Sequence, residues 1–219
     1  MASPGESIWE IKLSDLRERL VAGGPTPGGV AVASVTASLG LGLLAMTLEV
    51  TSARKDFTGD RNRLTDLLAA ARREAIAIGQ FADEDIAVFE AYLEALRLPH
   101  GDEQERSDRR NAMRASLRRA IEVPMAAARA AAAAIEICAD TAPLVGRFVA
   151  ADLGAAAAML SNAVRTILLS VDYNAGQLSF DPVMQAEIVA QRREIESQAR
   201  LRADWVIEKI GMDDWWRAG

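Results

Sequence analysis

The chain has 219 residues, half of them apolar, so it is long enough and apolar enough to bury a sizeable core. Its 31 acidic and 25 basic residues give a net charge of −6 at pH 7, which argues against non-specific binding to nucleic acid or to an anionic membrane. The single cysteine, Cys138, excludes an internal disulfide and a cysteine-cluster zinc site, and it favours a reducing compartment. We therefore expect a cytoplasmic protein without a nucleic-acid or membrane partner.

Helical periodicity runs through the sequence from its first residues, and no segment alternates between apolar and polar residues over the length of a strand. Ser7 and Glu10 have the spacing of a capping box, and a leucine stripe after them predicts a first helix that ends at Gly23. Gly28 and Gly29 begin a second helix. We predict an all-α fold, a single domain over residues 1–219 built as a bundle of long antiparallel helices.

The second helix contains no charged residue from Val30 to Leu48. A run of this length has to be considered as a membrane span. Four hydroxyl side chains dilute it, aromatic anchors are absent from its ends, and no other segment resembles it. We predict instead a buried central helix whose small residues let neighbouring backbones approach closely.

The later helices are separated by glycine and proline. A third helix begins near residues 57–60, and Gly79 is predicted to mark a break or a bend before a fourth helix, Gln80 to Leu98. Pro124 lies inside a fifth helix and should kink it, because proline lacks the amide of the helical hydrogen bond. The remaining predicted elements are a sixth helix, Leu144 to Tyr173, a final helix from the cap Asp181 to about Ile210, and an aromatic tail of Trp205, Trp215 and Trp216.

Several classes of catalytic site lack their motifs. The only histidine, His100, stands at a Pro-Gly turn, so a Ser-His-Asp triad would have to be built on that residue. The sequence has no HExxH, ExxH or GxxxxGK[ST] motif and no GxGxxG in a strand–turn–helix context, which leaves metalloprotease, di-iron, P-loop and dinucleotide-binding sites without support. We expect chemistry that rests on carboxylates and basic side chains, without a metal.

Two carboxylates lie on apolar helix faces. Asp85 shares its face with Phe89, and Asp152 is flanked by Phe148 on an otherwise apolar stretch. A buried carboxylate either pairs with a cation or has its pKa raised toward neutrality, which suits it to general acid–base catalysis. Pairing with an arginine, or capping of a neighbouring helix, stays open for both residues.

The two ends of the second helix also carry groups that can bind a ligand. The turn Pro25–Gly29 leaves backbone amides available at the helix start, where an anion or another polar group can be received. Arg54 and Lys55 follow the helix end. An ordinary turn and a solvated helix terminus are the alternative interpretations.

Six segments are informative when they are taken together: PTPGG (Pro25–Gly29), TSARKDF (Thr51–Phe57), DEDIAVFEAYLEALRLP (Asp83–Pro99), RRAIEVP (Arg118–Pro124), ADLGA (Ala151–Ala155) and LLSVDYN (Leu168–Asn174). In order and spacing they resemble the cyclodeaminase/cyclohydrolase family. The resemblance extends roughly from Leu13 to Asn174, and it implies an all-α bundle that forms homodimers.

The resemblance also implies a substrate and a site. The chemistry would act on the one-carbon unit that bridges N5 and N10 of tetrahydrofolate, so the bound small molecule would be a tetrahydrofolate derivative. The family's essential aspartate falls on Asp85, and Arg54 and Lys55 would hold the carboxylates of the glutamate tail. The implied substrate-binding positions are Pro27, Gly28, Gly29, Arg54, Lys55, Asp152 and Gly154.

Three functions are compatible with these residues. The first is a methenyltetrahydrofolate cyclohydrolase, the second a formiminotetrahydrofolate cyclodeaminase, and the third a non-catalytic helical dimer that retains a pterin pocket. Five residues depart from the family pattern, namely Val30, Ala53, Arg54, His100 and Ala151, in place of glycine, glycine, lysine, lysine and serine. These departures predict an altered turn against the ligand, and they leave open a modified folate as substrate or weakened catalysis.

Overall fold

The computed structural model describes residues 6–211, which form a short 3-10 turn, Ile8–Glu10, followed by six α-helices and no strand. The helices are α1 (Leu13–Val21), α2 (Gly29–Ala53), α3 (Arg61–Arg97), α4 (Glu103–Thr141), α5 (Arg147–Ala175) and α6 (Pro182–Lys209). The predicted all-α fold is confirmed. Trp215 and Trp216 lie outside the described residues.

Helices α2 to α5 run alternately up and down around a common core. Helix α2 packs against α3 and α5, and α4 closes the bundle by packing against α3 and α5 on the other side. Two contacts show that α2 and α3 are antiparallel, because the later residue of α2 meets the earlier residue of α3. Ser38 Oγ donates to the carbonyl oxygen of Ala75 (2.7 Å), and Glu49 forms an ion pair with Arg72. The predicted bundle of long antiparallel helices is therefore present.

Helix α6 lies against α4 and α5 and runs parallel to α4. Its N-cap residue Asp181 pairs with Arg118 (2.7 Å), and Arg202 near its end donates to Glu136 (2.8 Å). The side chain of Asp181 also accepts a hydrogen bond from the backbone N–H of Met184. The predicted start of the last helix is confirmed, because the local cap and Pro182 fix it.

Helices α2 and α5 approach closely at Gly40. A Cβ atom added to Gly40 would lie 3.2 Å from the Cβ of Met159 and 3.4 Å from the carbonyl oxygen of Ala156. Any larger side chain would push the two helices apart. The prediction that small residues in α2 permit close packing is confirmed.

The predicted break at Gly79 is wrong, because α3 continues through it from Arg61 to Arg97. Gly79 is buried, and a Cβ at this position would lie 2.9 Å from Cζ2 of Trp9. The indole Nε1 of Trp9 donates to the carbonyl oxygen of Gly79 (3.0 Å). The glycine thus makes room for the tryptophan and does not end the helix.

The first helix also differs from its prediction. Ser7 caps the 3-10 turn by accepting from the N–H of Trp9, and α1 begins only at Leu13. Of the leucine stripe only Leu16 is buried, whereas 74% of Leu13 and 43% of Leu20 are exposed. Helix α1 therefore lies on the surface of the bundle.

Helices α2 and α5 are both long and apolar enough to cross a membrane by length and composition. The expectation that only the second helix qualifies is thus wrong. Half of the apolar window of each helix is buried inside the protein, and the core helix of a soluble protein passes the same test. In this structure both helices serve as packing elements of the bundle.

Candidate active site

A cavity of about 600 Å³ lies at the end of the bundle where α2 begins. The turn before α2, the second half of α3, the middle of α4 and the last turns of α5 form its wall. The apolar and aromatic wall residues are Val88, Phe89, Tyr92, Leu117, Leu169 and Tyr173, and the polar ones of α5 and its C-terminal end are Thr166, Ser170, Asn174 and Gln177. Among the described residues, Asp85 is the only charged side chain that lines this cavity.

Asp85 lies on α3 opposite the first turn of α2. Burial raises the pKa of Asp85 to about 6, although a hydrogen bond from the backbone of Ala31 opposes the shift. Within residues 6–211 no arginine or lysine pairs with it. Of the alternatives that the sequence left open for Asp85, two hold together: its partial burial raises its pKa, and its bond from Ala31 caps the first turn of α2.

The neighbouring carboxylate Asp83 has a different environment. It accepts hydrogen bonds from Ser7 Oγ (2.6 Å) and from the backbone N–H of Ile8 (2.7 Å), so it fastens the N-terminal segment to α3. Asp83 is occupied by these contacts, whereas Asp85 faces the cavity. Asp83 therefore has a structural role, and Asp85 is the carboxylate that is available for chemistry in the cavity.

The raised pKa of Asp85 predicts how stability depends on pH. Because the folded-state pKa of about 6 lies above the ordinary value of 3.8, the folded protein binds this proton more tightly than the unfolded chain. The resulting stabilisation is full below about pH 4 and is lost as the pH rises through 6. At roughly 1.4 kcal/mol per pKa unit, the charged side chain costs about 1–3 kcal/mol at pH 8.

We therefore expect Asp85→Asn to raise the free energy of unfolding by about 1–3 kcal/mol at pH 8 and to change it little at pH 4. Urea denaturation of both proteins at the two pH values measures this difference. An equal effect at both pH values would contradict the assignment of the raised pKa to Asp85.

The glycine turn reaches the same cavity. Gly28 and Gly29 line it beside Asp85, and Gly28 is the N-cap of α2 without a side-chain hydrogen bond to the helix start. Pro27 follows a cis peptide bond, is buried, and lines a neighbouring recess that Thr26 also borders. The structure thus brings Gly28 and Gly29 together with Asp85 and places Pro27 just behind them.

Arg54 and Lys55 lie at the opposite end of α2. A helix of 25 residues is about 38 Å long at 1.5 Å per residue, so one chain cannot place this basic pair at its own cavity. Arg54 pairs with Asp56 (2.8 Å) and packs against Gly146, the N-cap of α5. The side chain of Lys55 is exposed.

Comparison with known proteins identifies the family. The sequence profile of the formiminotransferase-cyclodeaminase family matches residues 12–194. The chain belongs to this family. Its fold agrees, because the crystal structure of formiminotetrahydrofolate cyclodeaminase from Thermotoga maritima superposes with a TM-score of 0.82 at 20% identity, covering 95% of this chain and 100% of that one.

Two curated relatives illustrate the range of the family. The chain is 24% identical to formimidoyltransferase-cyclodeaminase of Sus scrofa over 209 residues, which are 95% of this chain and 38% of that protein. It is 25% identical to methenyltetrahydrofolate cyclohydrolase of Methylorubrum extorquens over 156 residues, which are 71% of this chain and 75% of that protein. The chain thus spans little more than a third of the length of the first relative.

The family's aspartate–glycine motif lies near the start of α5, at the same end as Arg54. Asp152 is partly buried, in line with its expected position on an apolar helix face, whereas Phe148 beside it is 93% exposed. A Cβ on Gly154 would lie 2.9 Å from Cδ1 of Ile210. Gly154 therefore provides space for the end of α6, and within one chain neither motif residue reaches the cavity.

Sequence reasoning did not select Asn174 as a site residue, although it ends the LLSVDYN segment of the family pattern. Asn174 lines the cavity, and its Nδ2 donates to the carbonyl oxygen of Ala120 (2.8 Å). The available signal was Pro124, since a proline leaves the carbonyl four residues earlier without its helical partner. Only the fold shows which side chain satisfies that carbonyl.

Proposed function

We propose that this protein is a methenyltetrahydrofolate cyclohydrolase that converts 5,10-methenyltetrahydrofolate into 10-formyltetrahydrofolate. The observation that carries the proposal is the composition of the cavity, whose aromatic and aliphatic walls surround one partly buried carboxylate, Asp85. The methenyl bridge is part of a flat cation, which a carboxylate attracts and which aromatic faces can stack against. The names of the relatives from Sus scrofa and Methylorubrum extorquens support folate chemistry.

Asp85 would act first as a general base. Its carboxylate takes a proton from a water molecule while the water oxygen bonds to the methenyl carbon, and the cation becomes a neutral carbinolamine. The carbon–N5 bond then breaks as the acid form of Asp85 returns the proton to N5. The carboxylate formed in this way accepts the hydroxyl proton, which gives the 10-formyl group, and then releases that proton to solvent. A pKa of about 6 suits both directions of transfer near neutral pH.

The start of α2 would orient the ring system. The first turn of a helix leaves several N–H groups without an intrahelical partner, and Gly28 offers no side-chain cap to satisfy them. Ala31 in this turn already donates to Asp85, so the N–H groups of Gly29 and Val30 are the ones that can donate to a polar ligand atom such as the pterin carbonyl oxygen. Because Gly28 and Gly29 have no side chains, the ligand can approach this backbone closely.

Formiminotetrahydrofolate cyclodeaminase activity is the second candidate, supported by the names of the Sus scrofa and Thermotoga maritima proteins. In that reaction N10 attacks the formimino carbon and ammonia leaves. Asp85 in its acid form would protonate the departing nitrogen. Both reactions need one proton-transfer group beside the same carbon, so one cavity can serve either of them.

Spectrophotometry with two substrates decides between these reactions. We expect the protein to accelerate the loss of the methenyl absorbance of 5,10-methenyltetrahydrofolate well above the uncatalysed rate. Appearance of that absorbance from 5-formiminotetrahydrofolate would instead identify a cyclodeaminase. If neither signal changes, both proposed reactions are wrong, and the third function, a non-catalytic helical dimer with a pterin pocket, is then tested by calorimetric titration with folate and by light scattering.

The proposal includes a homodimer, whose contact surface would be the outer face of α2. Seven residues of this face follow one another at alternating intervals of four and three positions, which is the repeat of two packed helices: Val32, Thr36, Leu39, Leu43, Met46, Val50 and Ala53. None of them is charged, and Leu39, Met46 and Val50 are exposed by 51%, 41% and 42%. A two-fold axis would bury this seam, named here the α2 seam, against its own copy.

An antiparallel arrangement of the two α2 helices would also complete the cavity. It would bring Arg54 and Lys55 of one copy to the start of α2 in the other, where the cavity has no cation among its described residues. Leu169 and Tyr173 line that cavity but are 61% and 76% exposed, so its rim is open in a single chain. The second copy would cover the rim, and its basic pair would hold the carboxylates of the glutamate tail.

The proposed hydrolysis uses water and Asp85, and the proposal includes no metal. It also includes a cytoplasmic location, which the acidic composition and the buried, unpaired Cys138 support.

A further inference from the structure

Pro124 creates an unsatisfied acceptor inside α4. Because proline has no N–H, the carbonyl oxygen of Ala120 four residues earlier cannot form its usual helical hydrogen bond. Asn174, at the end of α5, fills this position by donating from Nδ2 to that oxygen at 2.8 Å. The bond joins residues 54 apart in sequence and lies at the wall of the cavity.

This bond fixes the orientation of the Asn174 amide. With Nδ2 turned to Ala120, the side chain presents Oδ1 as its acceptor, and no hydrogen bond to Oδ1 forms within the described residues. Other polar side chains of the wall are less constrained or already used: Gln177 is exposed, and Thr166 Oγ1 donates to Asn162. Asn174 thus presents to the cavity a fixed, uncharged acceptor beside the carboxylate of Asp85.

We propose that Asn174 is a specificity-determining residue whose Oδ1 accepts a hydrogen bond from the donor edge of the pterin ring, the 2-amino group and the adjacent ring N–H. The inference rests on the proposed function and assigns the recognition of the ring to a residue outside the proton-transfer machinery. A site that hydrogen-bonds a ligand N–H discriminates strongly against an analogue that lacks it, since its own polar group is then left unpaired.

The decisive experiment is a double-mutant cycle on ligand binding. Calorimetric titration would compare 5-formyltetrahydrofolate with its 2-desamino analogue in the wild type and in Asn174→Leu. We expect removal of the amino group to weaken binding to the wild type by about 10- to 100-fold. Asn174→Leu should weaken binding of the amino-bearing ligand by a similar factor and should no longer distinguish the two ligands.

Gln185→Leu is a matched control. Gln185 Nε2 donates to the carbonyl oxygen of Ala175 at 2.8 Å, so it makes the same kind of bond at the same end of α5 without lining the cavity. Its loss should lower the melting temperature about as much as Asn174→Leu does. It should leave the preference for the amino-bearing ligand unchanged.

Pro124→Ala tests the hydrogen bond between Asn174 and Ala120 without changing the side chain of Asn174. The new N–H can satisfy Ala120, so the amide of Asn174 loses its fixed orientation and discrimination should fall while folate still binds. Retention of full discrimination by Asn174→Leu, or by Pro124→Ala if the leucine variant does not fold, overturns the inference but leaves the folate function standing. A wild type that binds no folate overturns both.

Discussion

Asp85→Asn is expected to lower kcat/KM for 5,10-methenyltetrahydrofolate by about 10²- to 10⁴-fold, the usual contribution of a positioned general base. Asparagine has nearly the same shape, so the cavity keeps its form, but the amide cannot accept the proton of the attacking water. Steady-state rates followed through the methenyl absorbance measure the loss. The wild-type rate should also fall about tenfold per pH unit below the Asp85 pKa of about 6, because only the carboxylate is a base.

Glu84→Gln serves as the control for this experiment. Glu84 precedes Asp85 on α3, but it pairs with Arg119 (2.6 Å) on a largely exposed surface and does not line the cavity. Its neutralisation removes one carboxylate from the same helix and should change the rate less than twofold, since an exposed ion pair contributes under about 1 kcal/mol. An Asp85→Asn enzyme with more than a tenth of wild-type activity would contradict the proposed base.

The second large effect is expected from charges placed on the α2 seam. The double variant Leu39→Glu and Met46→Glu should convert the protein into a monomer at micromolar concentration, because four like charges would meet without solvent in the dimer. Activity should fall about 100-fold or more if the second copy covers the cavity and supplies its cations. Light scattering and the methenyl assay on the same samples test both outcomes.

Leu201→Glu is the matched control for the seam. Leu201 is 59% exposed on α6, which packs against α4 and α5, so this change also places a charge on an exposed apolar side chain but on a helix outside the seam. It should leave both the dimer and the rate unchanged. A wild type that is monomeric, or a monomeric double variant with full activity, would refute the dimer as proposed.

Replacement of Arg54 and Lys55 distinguishes an antiparallel from a parallel arrangement of the two α2 helices in the dimer. In the antiparallel dimer, replacement of Arg54 and Lys55 with alanine should keep the dimer intact and weaken folate binding. The loss should be larger for polyglutamylated than for monoglutamylated ligands and should shrink as salt is raised, since screening weakens exposed charge pairs. A parallel seam would leave these residues far from both cavities, and binding would then be unaffected.

The sequence by itself determined the features that depend on local chemistry. Asp181 and Pro182 mark the start of α6, because capping and a first-turn proline act within one turn. The apolar face around Asp85 predicted its burial, since helical spacing alone places Phe89 beside it. The resemblance of the six segments to the family then placed the family's essential aspartate at Asp85.

Tertiary structure decided everything that joins distant parts of the chain. Gly79 has the same sequence signature whether it breaks a helix or admits a side chain, and only the position of Trp9 distinguishes the two. Arg54 and Asp85 belong to one family pattern, yet Arg54 follows the last turn of α2 and Asp85 lies opposite its first turn, so the length of α2 separates them in one chain. Asn174 reaches Ala120 only because α4 and α5 are antiparallel neighbours, a contact that no local propensity encodes.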